Sequence, residues 1–154
     1  FIIWARKCEK KAHYFNYKLM KHINGNKQMT DVWHLPAIAP WEKSCGKHPT
    51  QKPLALLARI IMASTQQGEW VLDPFCGSST TGIAANLLGR HYLGIDQEIP
   101  YIEMGKNRRK ELENPQTYYK YRSKIKDIQF IDSLYPTTVK EDTNIKVYKK
   151  FKIG

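Results

Sequence analysis

The sequence predicts an α/β fold with a mostly parallel sheet and flanking helices. Three observations carry that prediction. Two short apolar runs, residues 70–72 and 91–95, each end beside an acid, Asp73 and Asp96. A small-residue loop and an apolar helix, residues 82–88, lie between them. A second apolar helix, residues 54–63, precedes the first run. Strand, crossover helix and strand in that order give a parallel pair, because parallel strands need such a connection. In sheets of this kind ligands sit beyond the carboxyl ends of the strands.

Taken in order, residues 1–5 read as a strand of β-branched and aromatic residues. Residues 6–11 are a charged break, and residues 13–17 are an edge strand or a loop. A short helix over 18–23 is ended by Asn24-Gly25-Asn26, a strong turn signal. A Pro-containing loop spans 35–41 and a polar loop spans 46–52. Pro53 suits a first helical turn. The helix at 54–63 is apolar nearly all round apart from Arg59, as a buried helix is. Residues 66–68 turn into a buried strand, which should end near Asp73 because Pro74 cannot donate to a ladder. Gly77, Ser78 and Ser79 keep the following loop free of bulk, so a ligand can approach the backbone. Thr80 and Thr81 are candidate caps for the next helix, which Gly89 ends. That helix N-terminus suits a carboxylate or phosphate. The interval from Asp73 to Asp96 is close to the roughly 20 residues at which nucleotide folds place an acid on ribose hydroxyls.

Pro100 starts a helix over 101–113, whose Lys106, Arg108, Arg109 and Lys110 read as a solvated basic face, with a DNA contact as the alternative. Beyond Asn114-Pro115 aromatic and basic residues alternate, and residues 127–132 and 145–153 are patterned like strands. This extension, 114–154, is expected to be an appended β element, a partner contact or a DNA arm.

The chain of 154 residues is enough for one domain. Its 25 Lys+Arg against 14 Asp+Glu give a net charge of +11, which suits a polyanion such as nucleic acid. A basic protein with no such partner is the alternative. No apolar run approaches the roughly 20 residues of a membrane span, and no signal peptide is evident. Cys8, Cys45 and Cys76 form no CxxC pair, which points to a reducing, cytoplasmic setting. Cys8, His13 and Cys45 lack paired ligand spacing, so no metal is expected. Gly77 and Gly82 have phosphate-loop spacing, but Ile83-Ala84 replace the required Lys-Ser/Thr, which argues against an NTPase. The chain opens inside an apolar run without an initiator Met. From that we expect a fragment, a processed piece, or a chain seen without its N-terminal part.

Asp73-Pro74-Phe75-Cys76-Gly77-Ser78-Ser79-Thr80-Thr81 resembles the cofactor motif of S-adenosylmethionine-dependent amino-methyltransferases acting on DNA. His48-Pro49-Thr50-Gln51-Lys52-Pro53 resembles the motif that precedes it in the circularly permuted, beta class of these site-specific, restriction-modification enzymes. The resemblance spans roughly residues 1–113. It implies a partial Rossmann-like S-adenosylmethionine-dependent methyltransferase fold. Residues 1–45 would hold the end of the catalytic half and the target-recognition region, and residues 46–113 the cofactor-binding half. The implied activity is methylation of an exocyclic amine in double-stranded DNA, adenine N6 ahead of cytosine N4.

The same resemblance implies roles. Asp73 suits the cofactor ammonium, and the loop amides with the helix at Thr80 suit its carboxylate. Asp96 suits the ribose diol, and Phe75 the adenine or thioether. His48, Pro49, Thr50 and Lys52 lie on the other side of the pocket, completing the set with Pro74, Cys76, Gly77, Ser78, Ser79 and Thr81. Lys27, Gln28, Asn24, Asn26, Lys43 and Lys47 are the candidate DNA contacts, since amides read adenine edges and cations meet phosphates. Asp73 as a capping acid, and His48 as a loop histidine held by a backbone carbonyl, are the structural alternatives. Ser79 stands where the family has a second glycine, so a left-handed backbone there would be strained.

The family's catalytic (Asp/Asn/Ser)-Pro-Pro-(Tyr/Phe/Trp) loop holds the amine of a flipped base. No Pro-Pro dipeptide exists in this chain. In the permuted class that loop lies upstream of Phe1, so no catalytic residue is expected here. A missing half supplied by a separate chain or a homodimer partner is expected, with a sheet edge left to pair. The alternatives are a non-catalytic DNA-binding or assembly module, and a methyltransferase whose acceptor is RNA or protein.

Overall fold

The computed structural model describes residues 2, 3, 5, 8–10 and 12–134. Phe1, Trp4 and the strand-like pattern at 145–153 lie outside them. The elements are α1 (Tyr17–Ile23), a 3-10 turn (Pro40–Lys43), α2 (Leu54–Ser64), β1 (Trp70–Asp73), α3 (Thr80–Leu87), β2 (His91–Gly94), α4 (Ile99–Glu111), α5 (Pro115–Arg122) and α6 (Lys126–Leu134).

β1 and β2 pair in parallel, with Trp70 opposite His91 and Asp73 opposite Gly94. Side chains alternate across a strand, so the two faces differ. Val71 and Tyr92 face the helices, and Tyr92 is buried against Gly82 of α3, where a Cβ would sit 2.5 Å from its ring. On the other face Trp70 is 65% exposed and Leu72 61%, with Trp70 stacked on His91. The buried strand expected at 70–72 is therefore covered on one side only by the described residues.

The core lies between α2 and α3. Leu54, Ala58, Ile61 and Met62 of α2 meet Ile83, Ala84 and Leu87 of α3 in one buried cluster. Each large aliphatic there contributes on the order of 1.5–3 kcal/mol. α2 begins at Leu54 and Pro53 stands just before it as the N-cap residue. Glu42 of the 3-10 turn supplies the side-chain cap: its buried carboxylate accepts from Leu54 N at 2.7 Å and from Ala39 N at 3.1 Å. Gly89 follows α3 at φ +70°, the left-handed exit that glycine adopts freely.

Two expectations fail. Ile2, Ile3 and Ala5 form no strand and are exposed, because a strand needs a partner ladder and none of the described residues supplies one. The strand-like pattern at 127–132 is helical, as is the rest of the described part of the extension from Pro115 to Arg122. Residues 127–132 alternate as a strand would, but Ile125 and Ile128 are buried and Ile131 packs beside them, a three-residue spacing that only a helix puts on one face.

Helix α6 is tied to α2 by one bidentate pair. Arg59 Nε and Nη2 donate to the two oxygens of Asp127 at 2.7 and 3.0 Å. Both side chains are largely buried. Removing one member of a buried pair leaves the other uncompensated, at a cost of about 3 kcal/mol. Asp127→Ala should lose that much in urea unfolding at neutral pH. A loss below about 1 kcal/mol would mean that apolar packing alone holds α6.

Candidate functional site

The parallel ladder runs on past its strands. Ile95 N donates to Asp73 O, and Cys76 N donates to Ile95 O, both at 2.9 Å. The chain therefore leaves both strands side by side, and the two acids stand at the same end of the sheet. Asp73 accepts from Phe75 N at 3.2 Å and from the Thr81 hydroxyl at 2.6 Å. Asp96 accepts from Gly77 N at 2.7 Å and Glu98 N at 2.9 Å. Backbone N–H groups of Glu98 and then Gly77 hold the Asp96 carboxyl below its ordinary pKa. Each carboxylate still has lone pairs to offer.

The loop between β1 and α3 doubles back through two left-handed residues, Gly77 at φ +48° and Ser79 at φ +57°, ψ +35°. For serine that conformation costs roughly 1–2 kcal/mol. Ser79, not Thr80 or Thr81, occupies the N-cap position, and the two threonines form the first helical turn. Their hydroxyls work elsewhere, Thr81 on Asp73 and Thr80 on Arg108. Helix α4 backs the loop. A Cβ at Gly105 would lie 2.4 Å from Ser79 Oγ. One turn on, Arg108 is 2% exposed, and its Nη1 donates to Ser78 O at 2.7 Å and Thr80 Oγ1 at 3.0 Å. Burial lowers its pKa, and Tyr121 and Glu42 nearby oppose that. The solvated basic face expected on α4 holds for Lys106 and Lys110 but not for Arg108, whose partners come from sequence 30 positions away.

The 48–53 segment closes the opposite wall. A Cβ at Gly77 would sit 2.9 Å from His48 Nε2, so the imidazole covers the loop glycine. Its ring packs edge-on to Tyr101, with centroids 4.2 Å apart. His48 Nδ1 accepts from Thr50 N at 3.3 Å. The backbone partner is thus an N–H and not the carbonyl considered from sequence. Gln51 is buried and donates to Glu42 O at 3.0 Å, anchoring the segment to the start of α2.

Between these walls lies a cleft of about 160 Å³. Of the residues singled out by sequence, His48, Thr50, Lys52, Asp73, Phe75, Cys76, Gly77, Ser78, Thr80 and Thr81 line it. Pro49, Pro74, Ser79 and Asp96 adjoin without lining it. Gln51 and Leu57 also line it, and sequence reading passed them over although both sit within or beside the motif. Phe75 is 86% exposed at the mouth. No group of three or more His, Cys, Asp or Glu among the described residues could hold a metal ion. Asn24, Asn26, Lys27 and Gln28 form an exposed turn after α1, closed by Asn24 Nδ2 donating to Gln28 O at 2.9 Å. Lys47 is exposed and Lys43 half-buried at the end of the 3-10 turn.

A parallel α/β pair with an acid at the end of β1, another just beyond β2 and a small-residue loop leading into α3 define a Rossmann-like unit. The chain belongs to the DNA methylase family of N6/N4 methyltransferases, which it matches over residues 1–107. It is 56% identical over 126 residues to the type II methyltransferase M2.MboI of Moraxella bovis, covering 82% of this chain and 46% of that protein. Over 108 residues it is 56% identical to M2.DpnII of Streptococcus pneumoniae, covering 70% and 40%. M.HinfI of Haemophilus influenzae is 43% identical over 120 residues, covering 74% and 33%. The chain thus spans less than half the length of these relatives. Among solved structures, the M1.HpyAVI–SAM complex superposes with a TM-score of 0.51 at 37% identity, covering 64% of this chain and 45% of that one. The fold is the partial Rossmann-like methyltransferase fold.

The lowered pKa of Asp96 has a pH consequence. Its stabilisation is complete above the ordinary carboxylate value of 3.8 and is lost as pH falls through the lower folded value. Asp96→Asn should therefore show a shallower loss of stability on acidification below that value than the parent chain in urea titrations. Parallel acid limbs would refute the assignment.

Proposed function

We propose that this chain forms the S-adenosylmethionine-binding wall of a site-specific DNA amino-methyltransferase, with adenine N6 as the target. The observation that carries this is the convergence of Asp73, Asp96 and the start of α3 at one end of a parallel sheet, faced by His48. Asp73 sits where a cationic ammonium would be held, and Asp96 where a diol would be. The start of α3 offers N–H groups and a positive dipole end to a carboxylate. Phe75, exposed at the mouth, has a free face for adenine or the thioether. The donor set therefore fits the group. When bound, S-adenosylmethionine supplies an electrophilic methyl on sulfonium.

The cleft is smaller than the roughly 300–1,000 Å³ of a typical small-molecule site. It accordingly reads as one wall of a larger pocket. The Pro-Pro-aromatic loop that would hold the amine comes, in this reading, from a segment or partner chain outside these 154 residues. Residues 1–45 then serve target recognition, with Asn24, Asn26, Lys27, Gln28 and Lys43, and Lys47 just beyond them, as DNA contacts and the +11 charge drawing the phosphates in. Residues 46–113 hold the cofactor, and residues 114–154 form an extension, of which α5 and α6 brace α2 and α3. No helix among the described residues is long and apolar enough to cross a membrane. Free Cys8, Cys45 and Cys76 fit a reducing cytoplasm.

Calorimetry with S-adenosylmethionine tests the reading. Binding is expected, and Asp73→Ala should weaken it at least tenfold by removing the ammonium partner. With the complementary segment added, labelled methyl should appear on adenine N6 of duplex DNA. Binding without transfer would favour a non-catalytic module. No binding, even with that segment present, would sink the proposal.

A further inference from the structure

The face of α4 behind the loop between β1 and α3 carries a second feature of the site. Gly105 and Arg108 lie one turn apart on α4 and meet the loop from behind. Gly105 leaves the space into which Ser79 Oγ fits. Arg108 Nη1 makes three bonds, to Ser78 O at 2.7 Å, Thr80 Oγ1 at 3.0 Å and Ser78 Oγ at 3.3 Å. Its Nε and Nη2 have no hydrogen-bond partner among the described residues. The loop is thus the guanidinium's hold among the described residues, and the guanidinium ties the loop to α4. A charged hydrogen bond to a carbonyl is stronger than a neutral one. Here it is aimed at the carbonyl of the peptide that joins Ser78 to the strained Ser79.

We infer that Arg108 is a positioning residue for the methionyl end of the cofactor, locking Ser78–Thr80 in the left-handed bend from which α3 starts. The inference rests on the cofactor reading above. Arg108 itself is buried and does not line the cleft. Its effect passes through the backbone. Ser79 pays the strain of a φ of +57° whether or not a ligand is present, and the three bonds hold it there. In that reading the amino-acid end of the ligand meets the Ser78–Thr80 side of the loop, whereas the ribose meets Asp96, just beyond β2. Loss of Arg108 should therefore be felt by one end of the ligand and not the other.

The test compares two probes: S-adenosylmethionine, and 5′-methylthioadenosine, which lacks the amino-acid end. Arg108→Met keeps the apolar stem and removes all three bonds. It should weaken S-adenosylmethionine binding about tenfold or more and leave methylthioadenosine within about twofold. Arg108→Lys, with one donor head, should recover part of the difference. Gly105→Ala, which pushes on Ser79 from the same helix, should reproduce the selective loss and decides the matter if Arg108→Met does not fold. Equal weakening of both probes would overturn the proposal in favour of general support of the fold. No change with either probe would overturn it as well. If the parent chain binds methylthioadenosine but not S-adenosylmethionine, the loop serves no amino-acid end and the positioning role falls. If it binds neither, the cofactor reading itself has failed.

Discussion

Parallel pairing of two four-residue strands is the constraint from which the site follows. Its register, Asp73 opposite Gly94, is extended by one backbone bond in each direction across the strand ends. A slip of one residue would turn Val71 and Tyr92 to the bare face and pull Asp96 from the Gly77 amide. Asp73 and Cys76 take part in this ladder, and Asp96, Gly77 and the start of α3 are placed by it. Apolar packing of α2 on α3 fixes the ladder from one side, and the buried ring of Tyr92 against Gly82 sets how closely α3 can approach.

Buried charge does the rest of the positioning. Glu42 caps α2 from outside the helix, Arg59 fastens α6, and Arg108 fastens the loop. Each joins segments far apart in sequence, and each is directional where apolar contact is not. Arg59 also lies under Trp33, 5.3 Å from its ring centre, so one side chain connects the segment before the cofactor half with the helices after it.

The central α/β unit was legible because its signals are local. An apolar helix, a turn, a strand, a small-residue loop and an exit glycine each lie within a few residues of one another. Asp73, Thr81 and Gly77 could be placed from that pattern. The approach of His48 to Gly77 could not, since nothing in the 28 intervening positions says that the two segments meet; only the resemblance suggested it. Ile2, Ile3 and Ala5 and residues 127–132 were misread for one reason. Short apolar alternation tells which side chains want burial but not what will cover them, and the helix α6 found Ile125 and Ile128 a place against α2 that a strand had no ladder to reach. Arg108 was hidden by its company: in a basic cluster an arginine looks solvated, and its buried acceptors are a carbonyl and a hydroxyl that no side-chain pattern advertises. Ser79 was the reverse case, a departure from the motif whose left-handed backbone could be anticipated and is present.

The half-covered sheet also governs colloidal behaviour. Trp70, Leu72 and Leu93 present an apolar face to solvent while the chain as a whole carries +11. Like-charge repulsion keeps such molecules apart, and the exposed face draws them together. Salt acts on only the first of these, shrinking the range of repulsion to about 8 Å at physiological ionic strength. Solubility of the isolated chain is accordingly set by ionic strength, and falls as salt rises, until a polyanion or a covering partner removes the conflict.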